Sequence, residues 1–537
     1  MRMRIAFSQI NPCLGDIAYN TNKIISEILR AKEMKAKVVV FPELSLFGYL
    51  PEDLLDQVEI AKDCEKALNK IIKKMPDKMY AIIGLPTNSK NAKLHNSAAI
   101  LSKNKIHKIC HKSLFPNYDV FDEARYFVPG APEKNIISLF GKKFLITICE
   151  DLWLFHPKYK QRYKNIYKNI DKKNIDYVIN ISSSPYTKQK MQSREALLKG
   201  ANQFFKRPII YVNLVGAQDA LIFDGRSIAM DKKGNVLSQS LAFQEDLNLV
   251  DFETGEAGKR HQKNKIKPEE ELHKALVLGI KDFIEKNNFT QVHLGLSGGV
   301  DSALVACLAV DALGPQNVHC IAMPTDFNAS ESLDLAKVLC ENLSCSFQEI
   351  NIEEHYQNLA KSLEQNLSVK EFGFMHENLQ SRLRGQILMA YSNTNDSMLM
   401  TTGNKSEYAV GYATLYGDMC GGLAPIGDLL KEEVFALCKW YNKEYELIPN
   451  RIIDRPPTAE LKPNQLDQDT LPPYKVLDKM VDDFVCKNKK PKGEHSKWFM
   501  QAFTRAEFKR RQAPPILKVS ERAFGRGRRY PIVQKYL

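Results

Sequence analysis

One polar run interrupts this chain between two stretches that each alternate strand-like and helix-like segments. Residues 253–267 (ETGEAGKRHQKNKIK) are charged, polar and glycine-containing, the composition of a linker. At 537 residues the chain exceeds what one hydrophobic core ordinarily supports. Two domains are therefore expected, 1–252 and 268–537, joined by 253–267. Pro268 opens a helix whose first turn carries Glu269, Glu270 and Glu271. A fixed φ and negative charge both suit a helix start.

The segments on either side define the fold class. Strands are expected at 3–10, 38–41, 81–85, 97–101, 105–110, 144–149, 176–182 and 209–214. A helix is expected at 21–37, with Ile24, Ile25, Ile28 and Leu29 on its apolar face. Unbroken apolar runs such as Val38-Val39-Val40-Phe41 read as strands buried on both sides. Beyond the break, strands at 292–296 and 318–323 alternate with helices at 302–313 and 330–343. This βαβ rhythm predicts a doubly wound parallel sheet. The whole chain is α/β.

Composition narrows the setting. No apolar run approaches the roughly 18 residues of a membrane helix, and the N-terminus lacks a signal-peptide pattern. Eleven cysteines are scattered without a C-x-x-C pair, which argues against a disulfide framework and a zinc site. Reduced thiols in the cytoplasm are expected. The net charge is +13, and residues 487–529 hold fourteen Lys or Arg against three acids. Such a surface can be merely solvated, can attract ATP and dinucleotides, or can bind RNA. Charge alone does not separate these readings.

The strongest local signal is Leu294-Gly295-Leu296-Ser297-Gly298-Gly299-Val300-Asp301-Ser302-Ala303. A buried strand ends, a Ser-Gly-Gly turn follows, and a helix begins. Glycines let a phosphate approach the backbone, and the helix N–H groups point at it. Ser297 and Ser302 add hydroxyl donors. The kinase-type loop G-x-x-x-x-G-K-[ST] and the dinucleotide fingerprint are both missing. Asp301 stands in the loop instead, where a carboxylate beside phosphates suits Mg²⁺.

This string resembles the pyrophosphatase loop of the adenine-nucleotide α-hydrolase group, whose members cleave ATP between the α and β phosphates. The resemblance implies a Rossmann-like domain. Downstream, Glu377–Arg384, Thr401–Glu407, Gly411–Asp418, Gly427–Lys431 and Pro456–Leu461 are similar, in order, to segments of NAD synthetases. The resemblance implies that Gly295, Leu296, Ser297, Gly298, Gly299, Val300, Asp301, Ser302 and Thr402 bind ATP. It implies Mg²⁺ on Asp301 and Glu407, and deamido-NAD against Asn378, Glu407 and Lys509.

In the first half three strings stand out: Phe41-Pro42-Glu43, His111-Lys112-Ser113-Leu114-Phe115-Pro116-Asn117-Tyr118, and Ile148-Cys149-Glu150-Asp151-Leu152-Trp153. Taken singly, a Cys after FLITI is ordinarily a core thiol, and a lone Glu or Lys a surface charge. Together they resemble the catalytic strings of the nitrilase (carbon–nitrogen hydrolase) family, with Phe115 where that family commonly has Leu. The implied fold is an α-β-β-α sandwich. Cys149 is the implied nucleophile, Glu43 the proton carrier and Lys112 the stabiliser of the tetrahedral oxyanion. Tyr118, Ser184 and Lys190 would hold glutamine, although the serine of the 182–184 run is left open. Glu123, in a string associated with glutaminase domains of NAD synthetases, would assist.

These resemblances imply one activity: ammonia from glutamine amidates deamido-NAD at the expense of ATP, through an adenylated intermediate. They also imply internal passage of ammonia and a homo-oligomer, without nucleic-acid or membrane partners. The alternatives are another glutamine-fed ATP-pyrophosphatase, an amidase with an inert C-terminal half, and an RNA-binding protein using the basic stretch.

Overall fold

Alternate side chains of the N-terminal strands enter different cores, and this dictates the layering. The computed structural model describes residues 2–89, 93–258 and 266–536. Ile5, Phe7, Val38, Val40 and Ile82 pack in one cluster with Phe144, Ile146, Ile148, Ile179 and Ile181. Their neighbours Ala6, Val39, Ala81 and Ile83 instead meet Ile24, Ile28, Leu68 and Ile71, from helices Ile17–Glu33 and Ile60–Lys74. Likewise Leu145 and Val178 meet Leu197, Leu198 and Phe205 of helix Lys190–Phe205. Strands apolar on both faces need a cover on each. The result is helix, sheet, sheet, helix.

One sheet runs in the order Asp246–Asp251, Arg4–Gln9, Val38–Val40, Tyr80–Asn88, Leu94–Ser102, Lys105–His111. The other runs Val236–Gln239, Ile228–Met230, Ile209–Asn213, Tyr177–Ser182, Lys142–Ile148, Ile136–Leu139. The first helix departs from expectation: it spans Ile17–Glu33 rather than 21–37. Asp16 sets its start, accepting the Tyr19 N–H at 2.9 Å, an N-cap that periodicity does not reveal. Its buried face is Ile24, Ile28 and Ala31, while Leu29 is exposed.

The chain divides into two compact units, Met1–Gln218 with Ile222–Lys265, and Ile266–Leu537 with Asp219–Leu221. Of the expected linker, 259–265 lies outside the described residues. Its first residues turn back: Gly258 N donates to Leu249 O at 2.7 Å. Helix Pro268–Lys286 starts at its proline.

The second unit holds a parallel sheet ordered Ser346–Glu349, Val318–Ala322, Val292–Gly295, Met398–Leu399. The order reverses between Val292–Gly295 and Met398–Leu399, so the chain leaves these two strands in diverging directions and opens a crevice at their carboxyl ends. The last strand was not expected; two residues carry no readable period. Among the described residues, no helix is long and apolar enough to cross a membrane.

Candidate functional site

Strand ends from both N-terminal sheets deliver the first set of reactive groups to one place. Glu43 follows Val38–Val40, Lys112 follows Lys105–His111, and Cys149 follows Lys142–Ile148. All three are buried. Lys112 Nζ donates to Glu43 Oε1 at 2.7 Å and to Glu123 Oε1 and Oε2 at 2.9 and 2.7 Å. Asn96 Nδ2 also reaches Glu43 Oε1, and the Ser183 N–H reaches Oε2, both at 2.8 Å. Glu43 can sit this deep because Gly84 passes its loop: a Cβ there would lie 2.4 Å from Pro42 O and Leu44 N.

Cys149 occupies strained backbone, φ 43° and ψ −100°, at a cost of about 1–3 kcal/mol. Two anchors hold it. Its N–H donates to Ile181 O at 2.8 Å. Asp151 accepts the N–H groups of Ile148 at 3.0 Å and of Ser113 and Leu114 at 2.9 and 2.8 Å. One carboxylate thus ties the chain before the thiol to the chain after Lys112.

The electrostatics follow from burial. Burial pushes the Cys149 thiol well up, Glu43 adds to the rise, and Lys112 opposes it. Burial acts to lower the Lys112 ammonium, but Glu123 and Glu43 outweigh it and hold the group charged. Burial raises Glu123 from 4.5 to about 7, against the pull of Lys112. A raised carboxyl binds its proton more tightly folded than unfolded, so this group subtracts stability as pH rises from about 4.5 through about 7. Glu123→Gln should flatten that decline. Denaturant titrations across the interval check this; an unchanged slope would refute the assignment.

Around this centre stand the residues named for glutamine. Tyr118 Oη donates to Glu150 at 3.2 Å, as does Tyr163 Oη, and Arg162 lies 4.0 Å over the Tyr118 ring. Lys190 Nζ lies 4.5 Å over Trp153. In the serine run, Ser182 Oγ donates to Asn180 Oδ1 at 2.7 Å and Ser183 Oγ to Glu43 O at 2.8 Å. Ser184 is held through its backbone: its carbonyl accepts Arg194 Nη2 at 3.0 Å, and Arg194 also binds both Asp224 oxygens at 2.9 and 2.6 Å. This ion pair is fully buried. Arg194→Met would leave Asp224 with only Arg226, 3.8 Å away, as a cationic partner, and should cost about 3 kcal/mol. Equilibrium unfolding in urea measures the loss.

In the second unit, the 295–302 segment lines a crevice at the sheet's switch point. Gly298 has φ +72°, and a Cβ on it would lie 2.2 Å from Ser332 O, so only glycine fits. The helix begins at Val300, which places Asp301 and Ser302 in its first turn rather than in the preceding loop. A cavity of about 260 Å³ is lined by Gly295, Ile321, Met323, Arg384, Leu388 and Thr402 among others. A second, of about 160 Å³, is lined by Gly299, Asp301, Ser302, Glu407 and Lys431. Ser297, Thr402 and Arg455 line both.

Asp301 Oδ2 accepts Lys431 Nζ at 2.5 Å, and Glu407 Oε1 accepts the same ammonium at 3.2 Å. Asn404 Nδ2 donates to Asp301 Oδ1 at 2.9 Å, while Asn404 Oδ1 caps the Glu407 N–H at 3.1 Å. Burial raises Glu407 to about 8, with Lys431 opposing and Asp301 reinforcing. Both carboxylates reach one cationic point, a hard-oxygen pair that fits Mg²⁺ completed by phosphate and water oxygens.

The residues named for deamido-NAD are more dispersed. Glu407 lines the smaller cavity. Lys509 lines a third, of about 520 Å³, and donates to the carbonyls of Gly411 and Ala413 at 2.9 and 2.6 Å. Tyr412 lines both of these cavities. Asn378 Oδ1 accepts Thr414 Oγ1 at 2.7 Å.

Sequence reasoning assigns no role to Lys431, Asn404, Arg455 or Asn96. Lys431 did carry a signal. It opens helix Lys431–Tyr441, where the dipole disfavours a cation, so a use for its charge was indicated. Arg455 donates to Gly298 O at 2.5 Å and to Ser332 Oγ at 2.7 Å, a tertiary arrangement with no local signature.

The carbon–nitrogen hydrolase family matches residues 4–262, and the NAD synthase family matches residues 272–513. Fold and matches define a carbon–nitrogen hydrolase joined to an NAD synthase. The glutamine-dependent NAD(+) synthetase of Synechocystis sp. is 42% identical over 551 residues, covering 99% of each chain. That of Aquifex aeolicus is 37% identical, covering 99% of this chain and 100% of its own. The solved glutamine-dependent NAD+ synthetase of Acinetobacter baumannii, in complex with ADP, has a TM-score of 0.79 at 33% identity, covering 99% of this chain and 98% of its own. This chain belongs to the glutamine-dependent NAD(+) synthetase family.

Proposed function

We propose that the chain hydrolyses glutamine at Cys149 and uses the ammonia, with ATP, to convert deamido-NAD to NAD at the 295–302 crevice. One observation carries this reading. A buried Glu43–Lys112 ion pair beside Cys149 and an Asp301–Glu407 carboxylate pair, lining a cavity that adjoins the 295–297 crevice, occupy the same chain. Full-length similarity to named glutamine-dependent NAD(+) synthetases supports it.

In the first site Glu43 takes the Cys149 thiol proton as sulfur attacks the glutamine amide carbon. The Lys112 ammonium stabilises the oxyanion. Glu43 returns the proton to the departing ammonia, leaving a thioester on Cys149. Glu43 then deprotonates the water that releases glutamate. Tyr118, Lys190 and Ser184 hold the glutamine. Ser184 is preferred because Ser182 and Ser183 direct their hydroxyls to Asn180 and Glu43.

In the second site, the glycine turn, Thr402 and the amides opening helix Val300–Leu313 receive ATP. The Acinetobacter baumannii synthetase is solved in complex with ADP, which supports adenine-nucleotide binding by a chain of this family. The deamido-NAD carboxylate attacks the α-phosphorus and expels pyrophosphate. Ammonia attacks the resulting acyl-adenylate and expels AMP. Asp301 and Glu407 would hold Mg²⁺, which supplies positive charge for the leaving pyrophosphate. Lys431 keeps the two carboxylates together. Asn378, Glu407 and Lys509 are assigned to deamido-NAD.

The same proposal includes a cytoplasmic location, a homo-oligomer and passage of ammonia without release to solvent. An RNA-binding reading of the basic stretch fares worse. Arg510 and Lys518 are buried, and their cationic groups donate to backbone carbonyls. The test incubates the pure protein with ATP, Mg²⁺, deamido-NAD and either glutamine or ammonium, and measures NAD and AMP. AMP formation without NAD would reject deamido-NAD as the acceptor.

A further inference from the structure

Three cysteines from successive elements, Cys320, Cys340 and Cys345, meet beneath the edge of the parallel sheet. Cys320 lies in strand Val318–Ala322, Cys340 in helix Ser330–Leu343, and Cys345 just before strand Ser346–Glu349. Ser344, with φ 54°, reverses the chain after the helix, and Cys345 N donates to Cys340 O at 3.1 Å. The pairing of His319 with Ser346 then sets Cys345 beside Cys320. All three sulfurs lie within 4.8 Å of one another, with Cys320 and Cys345 at 4.0 Å.

We propose that Cys320, Cys340 and Cys345 form a three-thiolate site for one thiophilic divalent cation of the Zn²⁺ class, with water as the fourth ligand.

The distances favour a metal over a disulfide. A cation about 2.3 Å from each thiolate sets the sulfurs roughly 3.8–4.0 Å apart, whereas a disulfide requires about 2.05 Å. Soft sulfur selects such a cation over Mg²⁺. Access exists, because Cys320 and Cys340 are buried while Cys345 is half-exposed. The site also has a structural use. Strand Ser346–Glu349 buries almost none of its own side chains, and a shared cation would fasten it to its neighbours. Ser332, in the same helix as Cys340, and Met323, directly after strand Val318–Ala322, line the cavity proposed for nucleotide. No C-x-x-C spacing announces the cluster; only the fold assembles it.

The experiment adds Co²⁺, then Zn²⁺, to the reduced, metal-stripped full-length protein. The expected result is a single Co²⁺ per chain with thiolate-to-cobalt charge-transfer absorption, displaced by Zn²⁺. Bound Zn²⁺ should raise the melting temperature and shield these three cysteines from alkylation mapped by peptide mass spectrometry. Cys345→Ser and Cys340→Ser should each weaken binding roughly 100-fold or more, while Cys13→Ser leaves it unchanged. The shielding measurement needs no variant, so it decides the matter even if a substitution impairs folding. Absence of the absorption in folded, reduced protein would overturn the proposal, as would an absorption that survives Cys345→Ser. So would a Cys320–Cys345 disulfide in protein that takes up no metal once reduced.

Discussion

Cys149→Ala is expected to lower glutamine-dependent NAD formation on the order of 10⁴-fold or more while leaving ammonium-dependent formation intact. The reason is local. Lys112 pairs with Glu43 and with Glu123 through bonds that do not involve the sulfur, so the pocket keeps its shape. What disappears is the sulfur to which the thioester is assigned. Alanine adopts the same backbone with no larger penalty, and the Asp151 bonds to the segments on either side remain. Glutamate release and NAD formation, measured with each nitrogen source, check the prediction. Equal loss with both sources would show that Cys149 serves the fold or the synthetase centre instead.

Asp301→Ala is expected to abolish synthesis with glutamine and ammonium alike, by roughly 10³-fold or more, since the charge opposite the leaving pyrophosphate is worth several kcal/mol. The substitution removes one of two carboxylates on Lys431 and leaves Asn404 Nδ2 without its acceptor. A stability loss of about 1–3 kcal/mol should accompany it. Asp301→Asn separates the effects, because it preserves size and removes charge. AMP release with deamido-NAD is the measurement. Glutamate release at Cys149 provides the internal control and should persist. Synthesis retained at wild-type rate would refute a metal-binding role for Asp301.

Much of both centres could be read from the chain because the chemistry sits at strand ends. The 294–303 segment declares strand, turn and helix within ten letters, and Gly298 is there for a reason only the fold explains: its φ of +72°, and a Cβ on it would lie 2.2 Å from Ser332 O. Glu43, Lys112 and Cys149 each stand at or just past the end of an expected strand, but they are singled out by the joint resemblance of their three strings to the carbon–nitrogen hydrolase family, while the backbone strain at Cys149 left no trace in the letters. Helix placement was less secure. The first helix began four residues early of its expected start because Asp16, a capping residue, outweighed the apolar period. Charge left the basic stretch open between solvation, small polyanions and RNA; none of these readings includes Arg510, which donates to the carbonyls of Ala409 and Phe503 from a buried position.

The amino-acid order by itself determined the two α/β halves, the strand-end position of Cys149 and the glycine turn, since each depends on neighbours within a few residues. Tertiary structure alone decided which charges pair. Lys112 chose Glu43 and Glu123 across the sheet edge, and Lys431 bridged Asp301 to Glu407 from more than a hundred positions away in one case. It alone gathered Cys320, Cys340 and Cys345. Backbone preference acts between adjacent residues, whereas charge pairing and ligand geometry act through space. Their distances exist only after the sheets and helices have packed.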